Sequence, residues 1–406
     1  MSARRAAGLA ALALAAAAWV VFALLLWRSS RVPASLRLPK VDLGALFTAH
    51  QLARARSFER FIRIDWLLSE LALLGVLAVY ARRGARFARE SAAGRTGTGL
   101  LLGMLGLGIV WLAQLPFGFA EVWWERRWGI GHESYAKWLL GGWLGLPGAF
   151  LFVCTALVIV MGLARVLGGR WWLVGGPVFV VLAALFTFVQ PYLLGGTHPL
   201  RDRALLADAE RFARAEGLPR IKIVVQDVHA ETSSPNAEAV GLGPTRRVVL
   251  WDTLLDGRFT PREVRLVVAH ELGHLSRNHL LKGLAWFALF AIPGAWVIAR
   301  ATRRRGGMAE PAAVPLALFV LVVLQLLALP LQVAISRHFE AEADWMALRT
   351  TRDPAAATGV FRKFTTVALE QPDPPDWAYL LLADHPTIEQ RIGMAKAWRN
   401  LHPAPG

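Results

Sequence analysis

The chain has 406 residues, 55% of them hydrophobic and only 18% charged, against roughly 25% charged in an ordinary soluble domain; this excludes a conventional soluble enzyme and points to a multi-span membrane protein. The formal net charge of +16 rests mainly on arginine, but the arginines stand in short runs beside apolar segments, as loops held against lipid headgroups do, and without a basic, aromatic-interleaved module nucleic acid is not an expected partner. The single cysteine, Cys154, lies in an apolar run and has no internal partner, so it reads as a small buried hydrophobe.

In chain order, seven apolar stretches are long enough, or nearly so, to cross a bilayer core of about 20 helical residues. They fall near 6–27, 64–81, 98–119, 143–164, 171–194, 280–299 and 312–335. The first follows Arg4 and Arg5 and is longer than the core of about 7–15 residues in a signal peptide, so a retained anchor is expected. The second carries Asp65 and Glu70 near its start, and tryptophans such as Trp123, Trp124, Trp143 and Trp171 gather at segment ends as an interfacial belt would. The expected organisation is a membrane region with five spans over 1–199, a polar region over 200–279, two further spans over 280–335, and a mostly helical part over 336–406. Arginines in the short loops on the N-terminal side predict a cytoplasmic N-terminus and the polar region on the opposite face.

Within the polar region, residues 203–216 show helical spacing of Leu205, Leu206, Ala209, Phe212 and Ala213. Two β-like runs follow, 221-IKIVVQDV-228 and 247-RVVLWDTLL-255, joined by a Ser/Pro/Gly-rich connection. Thr260, Pro261 and Glu263 then form a helix-start signal, with Thr as N-cap and Pro in the first turn.

That helix carries 267-VVAHELGHLSRNH-279. His270 and His274 are four apart, so both imidazoles leave one helix face and can hold one metal ion. Glu271 points beside the metal rather than at it, where it can act as general base. HExxH occurs by chance, and a metal site of this kind needs a third protein ligand. The stretch 335-ISRHFEAEADWMAL-348 offers Glu340, with Asp344 on the same face placed to accept a hydrogen bond from a ligand imidazole. Glu342 lies on a different face and is the weaker candidate, and His338 reads as a solvated histidine. Two other classes compete: an inactive membrane adaptor, and a metal transporter or sensor. Every catalytic position is intact, against the adaptor; the motif precedes the sixth span instead of lying near its middle, against the transporter.

Taken together, the seven spans, 125-ERRWGI-130, 189-VQPYLLGGTHPL-200, 236-NAEAVGLG-243, HELGH, SRHFEAEAD and 384-DHPTIEQR-391 resemble the integral-membrane zinc endopeptidases of the CAAX prenyl protease, a-factor-converting type. The resemblance implies a mainly α-helical seven-span membrane protein with a small α+β metalloprotease region, its spans enclosing a water-filled chamber. It implies one zinc ion per chain held by His270, His274 and Glu340, with Glu271 as base and a zinc-activated water attacking the peptide bond. Asn236 and Ala237 match the edge strand along which substrate lies, and His385 and Arg391 match a pair near the scissile carbonyl. His279 also matches, in a structural role. The implied partners are the bilayer and a peptide or protein substrate, prenylated or membrane-associated, in CAAX-type processing or membrane-protein quality control. One departure stands out: where the family usually has an aromatic residue after Asn-Ala, this chain has Glu238, which implies a different pocket preference.

Overall fold

The computed structural model describes residues 3–403. The chain opens with α1 (Ala3–Trp27), followed by four long helices, α2 (Ala49–Arg83), α3 (Gly94–Trp128), α4 (Tyr135–Leu167) and α5 (Trp172–Leu193). A polar segment follows with β1 (Thr197–Pro199), α6 (Arg203–Ala215), β2 (Lys222–Gln226), β3 (Ala237–Val240), β4 (Arg247–Trp251) and α7 (Pro261–Ser276). Two more long helices, α8 (His279–Ala301) and α9 (Val314–Thr351), lead to α10 (Pro354–Val367), α11 (Asp376–Leu381) and α12 (Ile388–Leu401).

Among the described residues six helices, not seven, are long and apolar enough to cross a membrane: α2 to α5, α8 and α9. The first expected span, 6–27, lies in α1, of which Ala16–Trp27 forms a shorter apolar helix. That part packs on α8, where the Trp19 indole N–H donates to the Leu289 carbonyl at 3.0 Å and Ala23 and Leu26 close over Trp286 and Phe339. The spans turn large apolar side chains outward, Leu144 being 79% exposed, Phe152 73% and Val166 83%. A soluble monomer does not leave such contiguous apolar surface open; lipid covers it. Cys154, expected buried, is only half-buried on this lipid-facing α4.

Two boundaries differ from the hydropathy reading. The second span starts earlier, because Thr48 and Gln51 form a reciprocal capping box that begins α2 at Ala49. Asp65 and Glu70 therefore lie mid-helix. The last span does not stop near 335: α9 runs unbroken for 38 residues, so membrane segment and third ligand share one rod.

The sheet has the order β1-β2-β4-β3, with β2 and β4 parallel and the outer strands antiparallel. Ala237 pairs with Leu250 and Ala239 with Val248, so β3 lies along β4 on one side and leaves its other edge open. One sheet face, with Ile223, Val225, Val248 and Leu250, packs against Phe212 of α6, Val268 and Leu272 of α7, Leu348 of α9 and Ile392 of α12. Segments before and after the α8–α9 pair thus share one core, and Val41 and Phe47 from the loop after α1 enter it.

Gly273 explains why a glycine stands inside HELGH. A Cβ there would lie 3.1 Å from the Met346 Cβ and 3.4 Å from the Ala343 Cα. Its absence lets α7 and α9 approach closely enough for their polar side chains to meet.

Candidate active site

The helix-start signal holds: Glu263 N donates to the Thr260 hydroxyl at 3.4 Å, and the Glu263 carboxylate accepts from Thr260 N at 2.7 Å. From this fixed end α7 carries His270, 8% exposed, and Glu271, 6% exposed, to the facing side of α9. His270 Nε2 lies 3.1 Å from His274 Nε2 and 3.1 Å from Glu340 Oε2, and His274 Nε2 lies 3.4 Å from Glu340 Oε1. One ligand atom from each residue falls within 4.8 Å of the others. Around a tetrahedral ion with bonds of about 2.05 Å, neighbouring donor atoms stand about 3.3 Å apart. The three groups therefore fit one small divalent ion without rearrangement. Burial works against a charged His270, yet Asp344 and Glu340 outweigh it and push the imidazole up to about 9. The same concentration of negative charge favours a metal cation at that corner.

His270 is held from behind. Its Nδ1 lies 2.9 Å from Asp344 Oδ1, and a carboxylate at this distance favours the proton on Nδ1, leaving Nε2 to the metal corner. Asp344 is gripped by Arg391, Nε to Oδ2 at 2.8 Å and Nη2 to Oδ1 at 2.7 Å. Arg391 is 6% exposed and its Cζ sits 4.2 Å from the centre of the Phe361 ring. Arg391 and His385, expected as a pair near the substrate, both line the cavity beside these groups but take different partners. Arg391 commits its planar fork to Asp344, a bidentate match of guanidinium and carboxylate, while His385 alone reaches the metal corner.

His385 Nε2 is 3.1 Å from Glu340 Oε2 and its Nδ1 is 2.7 Å from Asp384 Oδ1, with the side chain 44% exposed. Burial lowers its pKa, but Glu340 and Asp384 carry it well above the ordinary histidine value. This places a candidate proton donor at the rim.

A cavity of about 510 Å³ opens beside these groups, lined by His270, Glu271, Asn236, Ala237 and His385, with Phe361 and Phe364 as an apolar wall. Asn236 accepts from Trp251 N through its carbonyl at 3.0 Å and caps Ala237 N with its own Oδ1 at 2.9 Å. Since backbone direction alternates along a strand, a carbonyl of Asn236 aimed at β4 turns the main-chain groups of Ala237 and Ala239 to the open edge. Glu238 sits on the face opposite those alanines, half-buried, and pairs with no cation among the described residues.

Two residues given lesser roles in the sequence carry more than expected. Glu342 is fully buried and accepts from Arg277 Nε at 2.7 Å and from Arg31 N at 2.7 Å, with His279 Nε2 at 3.0 Å. A carboxylate buried without partners would cost several kcal/mol, and the groups that repay it, the Arg277 cation and the His279 imidazole, stand just after HELGH. His338 is not solvated: its ring stacks on Trp27, centroids 4.4 Å apart.

Residues 199–399 match Peptidase family M48. The chain is 26% identical over 388 residues to the uncharacterized metalloprotease YhfN of Bacillus subtilis, covering 91% of this chain and 88% of that protein. It is 34% identical over 114 residues to CAAX prenyl protease 1 of Saccharomyces cerevisiae, an alignment spanning 27% of this chain and 25% of the yeast protein. A protease HtpX homolog of Acidiphilium cryptum is 27% identical over 280 residues, 60% of this chain and 93% of that protein. The crystal structure of S. mikatae Ste24p superposes with a TM-score of 0.70 at 19% identity, covering 94% of this chain and 97% of the other, which shows a common fold. With its six apolar helices and its His-His-Glu cluster, the chain is a multi-pass integral-membrane metalloprotease of the M48, CAAX prenyl protease-like type.

Proposed function

We propose that the protein is a zinc-dependent endopeptidase that cleaves a peptide laid along the open edge of β3, and that residues 200–279 and 336–406 work as one protease unit divided by two spans. The observation that carries this reading is the meeting of His270 Nε2, His274 Nε2 and a Glu340 carboxylate oxygen at tetrahedral spacing, beside Glu271 and a free strand edge. Zinc held by these three ligands supplies Lewis acidity to the scissile carbonyl and to water. The protein's own groups do the rest. The Ala237 carbonyl and the main-chain groups of Ala239 bind the peptide as an added strand, independent of most side chains. Asn236 fixes the turn into that strand. Glu271 accepts the proton of the attacking water and passes it to the leaving amine. The His385 imidazolium donates to the oxygen on which charge develops, and Asp344, held by Arg391, keeps His270 in register.

The substrates are peptides or proteins that are membrane-associated or prenylated: six apolar helices in the same chain support the first, and the resemblance to CAAX prenyl proteases supports the second. Metal analysis of purified protein is expected to give about one zinc ion per chain, with His274→Ala and Glu340→Ala losing it. Full occupancy in both variants would remove the ligand assignment.

Glu238 adds a preference. Burial, and then the charge of Glu271, raise its carboxyl pKa, and a cationic neighbour would relieve both. A peptide paired with β3 presents every second side chain on the Glu238 face. Peptides with Lys or Arg at one position flanking the scissile bond are expected to be cleaved about tenfold faster than Leu analogues, the equivalent of about 1.4 kcal/mol. Glu238→Gln should erase that ratio, and an unchanged ratio would mean that Glu238 lies off the substrate.

A further inference from the structure

His270 leans directly on a carboxylate, whereas its partner His274 leans on a second imidazole. We propose that His279 and Glu342 form a hydrogen-bonded relay that sets the tautomer of His274 and so positions it as a metal ligand; this rests on the metal site proposed above.

Proton counting fixes the direction of each bond. His274 Nε2 faces the metal corner, 3.1 Å from His270 Nε2 and 3.4 Å from Glu340 Oε1. A ligating nitrogen must offer a lone pair, so a neutral His274 carries its one N–H on Nδ1. That atom lies 3.0 Å from His279 Nδ1. Two ring nitrogens at this distance share one proton, and since His274 supplies it, His279 Nδ1 is the acceptor. The His279 proton must then be on Nε2, 3.0 Å from Glu342 Oε2. A carboxylate only accepts, so the chain of donors closes without conflict: His274 Nδ1–H to His279 Nδ1, and His279 Nε2–H to Glu342.

Independent features hold each member still. His279 stacks on Phe339 with centroids 4.6 Å apart and planes 10° from parallel. Asn278 before it takes a left-handed conformation, φ 54°, which asparagine tolerates better than most residues; this turn ends α7 and folds His279 back beside His274. The remaining Glu342 oxygen is held by Arg277 and Arg31 N, both at 2.7 Å, and Lys282 Nζ stands 3.5 Å from Oε2. Within 340-EAEAD-344, α9 thus supplies one ligand and both backing carboxylates, Asp344 acting directly on His270 and Glu342 acting on His274 through an inserted imidazole. Sequence periodicity sets Glu342 aside because it leaves α9 on another face. The α7–α8 turn wraps that face and brings His279 to it.

The test compares His279→Phe with His279→Gln in the full chain, reading zinc affinity by competition with a chelator. Phenylalanine keeps an aromatic ring over Phe339 but can neither accept from His274 nor donate to Glu342. Glutamine keeps one acceptor and one donor. His279→Phe is expected to bind zinc about 10–100-fold more weakly, the usual cost of losing a group that orients a metal-ligating histidine, and His279→Gln to recover most of that loss. Wild-type affinity in His279→Phe would overturn the relay, as would an equal loss in both variants, which marks a packing role. Should His279→Phe not fold, Glu342→Gln replaces it: weaker zinc binding is expected, and wild-type affinity overturns the proposal. His274→Ala is measured alongside. Zinc retained there defeats the ligand assignment itself; zinc lost there but unchanged in His279→Phe defeats the relay alone.

Discussion

Glu271→Gln is expected to keep its fold and its metal and to cleave peptides at least about a hundredfold more slowly, the scale of losing a general base. The substitution is nearly isosteric, so the packing of a residue that is 6% exposed is conserved. It removes no metal ligand, because the convergent atoms belong to His270, His274 and Glu340. What it removes is basicity: an amide oxygen can orient water by accepting a hydrogen bond but cannot take up its proton. The measurement is single-turnover cleavage by full-length protein together with metal content. Unchanged turnover would assign the base elsewhere. A wild-type protein that cleaves no peptide, prenylated or not, would favour the adaptor class over the enzyme.

Why this residue could be singled out from sequence, and others could not, follows from how far each signal reaches. HELGH states its geometry locally, because i and i+4 positions share a helix face whatever surrounds it. Glu340 and Asp344 obey the same rule, and the structure brings both to α7, at 3.1 Å and 2.9 Å from His270. The amphipathic α6 and the β2 and β4 runs were legible for the same reason: each is long enough to show its period. β1 and β3 have three and four residues, too few for alternation, and β3 exists because β4 offers it an edge. Asn236 and Ala237 were found through resemblance to a motif; no periodicity marks them. The start of α2 was missed because hydropathy does not see a polar first half, although the Thr48–Gln51 cap was written there. The resemblance reads Arg391 from its place in a motif. Its ion-pair partner, Asp344, is 47 positions away, and nothing local in either residue announces a bidentate pair. Buried ion pairs are settled by tertiary packing, the part of the structure that pattern reading reaches last.

That pair carries the second large effect. Arg391→Ala is expected to cost about 3–5 kcal/mol of stability, the range for removing one partner of a buried ion pair. Asp344 is 4% exposed and would keep only His270 beside it, in a site that also holds Glu340 and Glu271. Phe361 would lose the guanidinium that lies 4.2 Å from its ring centre. Arg391→Lys should recover only part of the loss, since an ammonium cannot reproduce two parallel bonds to one carboxylate. Thermal unfolding of the full chain in detergent is the direct reading, with zinc affinity measured beside it: a freed Asp344 holds His270 less well, and affinity should fall by about 10–100-fold. The alternative, a guanidinium that touches the peptide, makes the opposite forecast, with KM or kcat altered while stability and zinc affinity stay at wild-type values. If Arg391→Ala unfolds at the wild-type temperature and binds zinc normally yet cleaves poorly, Arg391 acts on substrate and its grip on Asp344 is incidental. The geometry predicts the reverse order of effects, because an arginine 6% exposed, with two of its nitrogens already bonded to a carboxylate, has little left to offer a peptide.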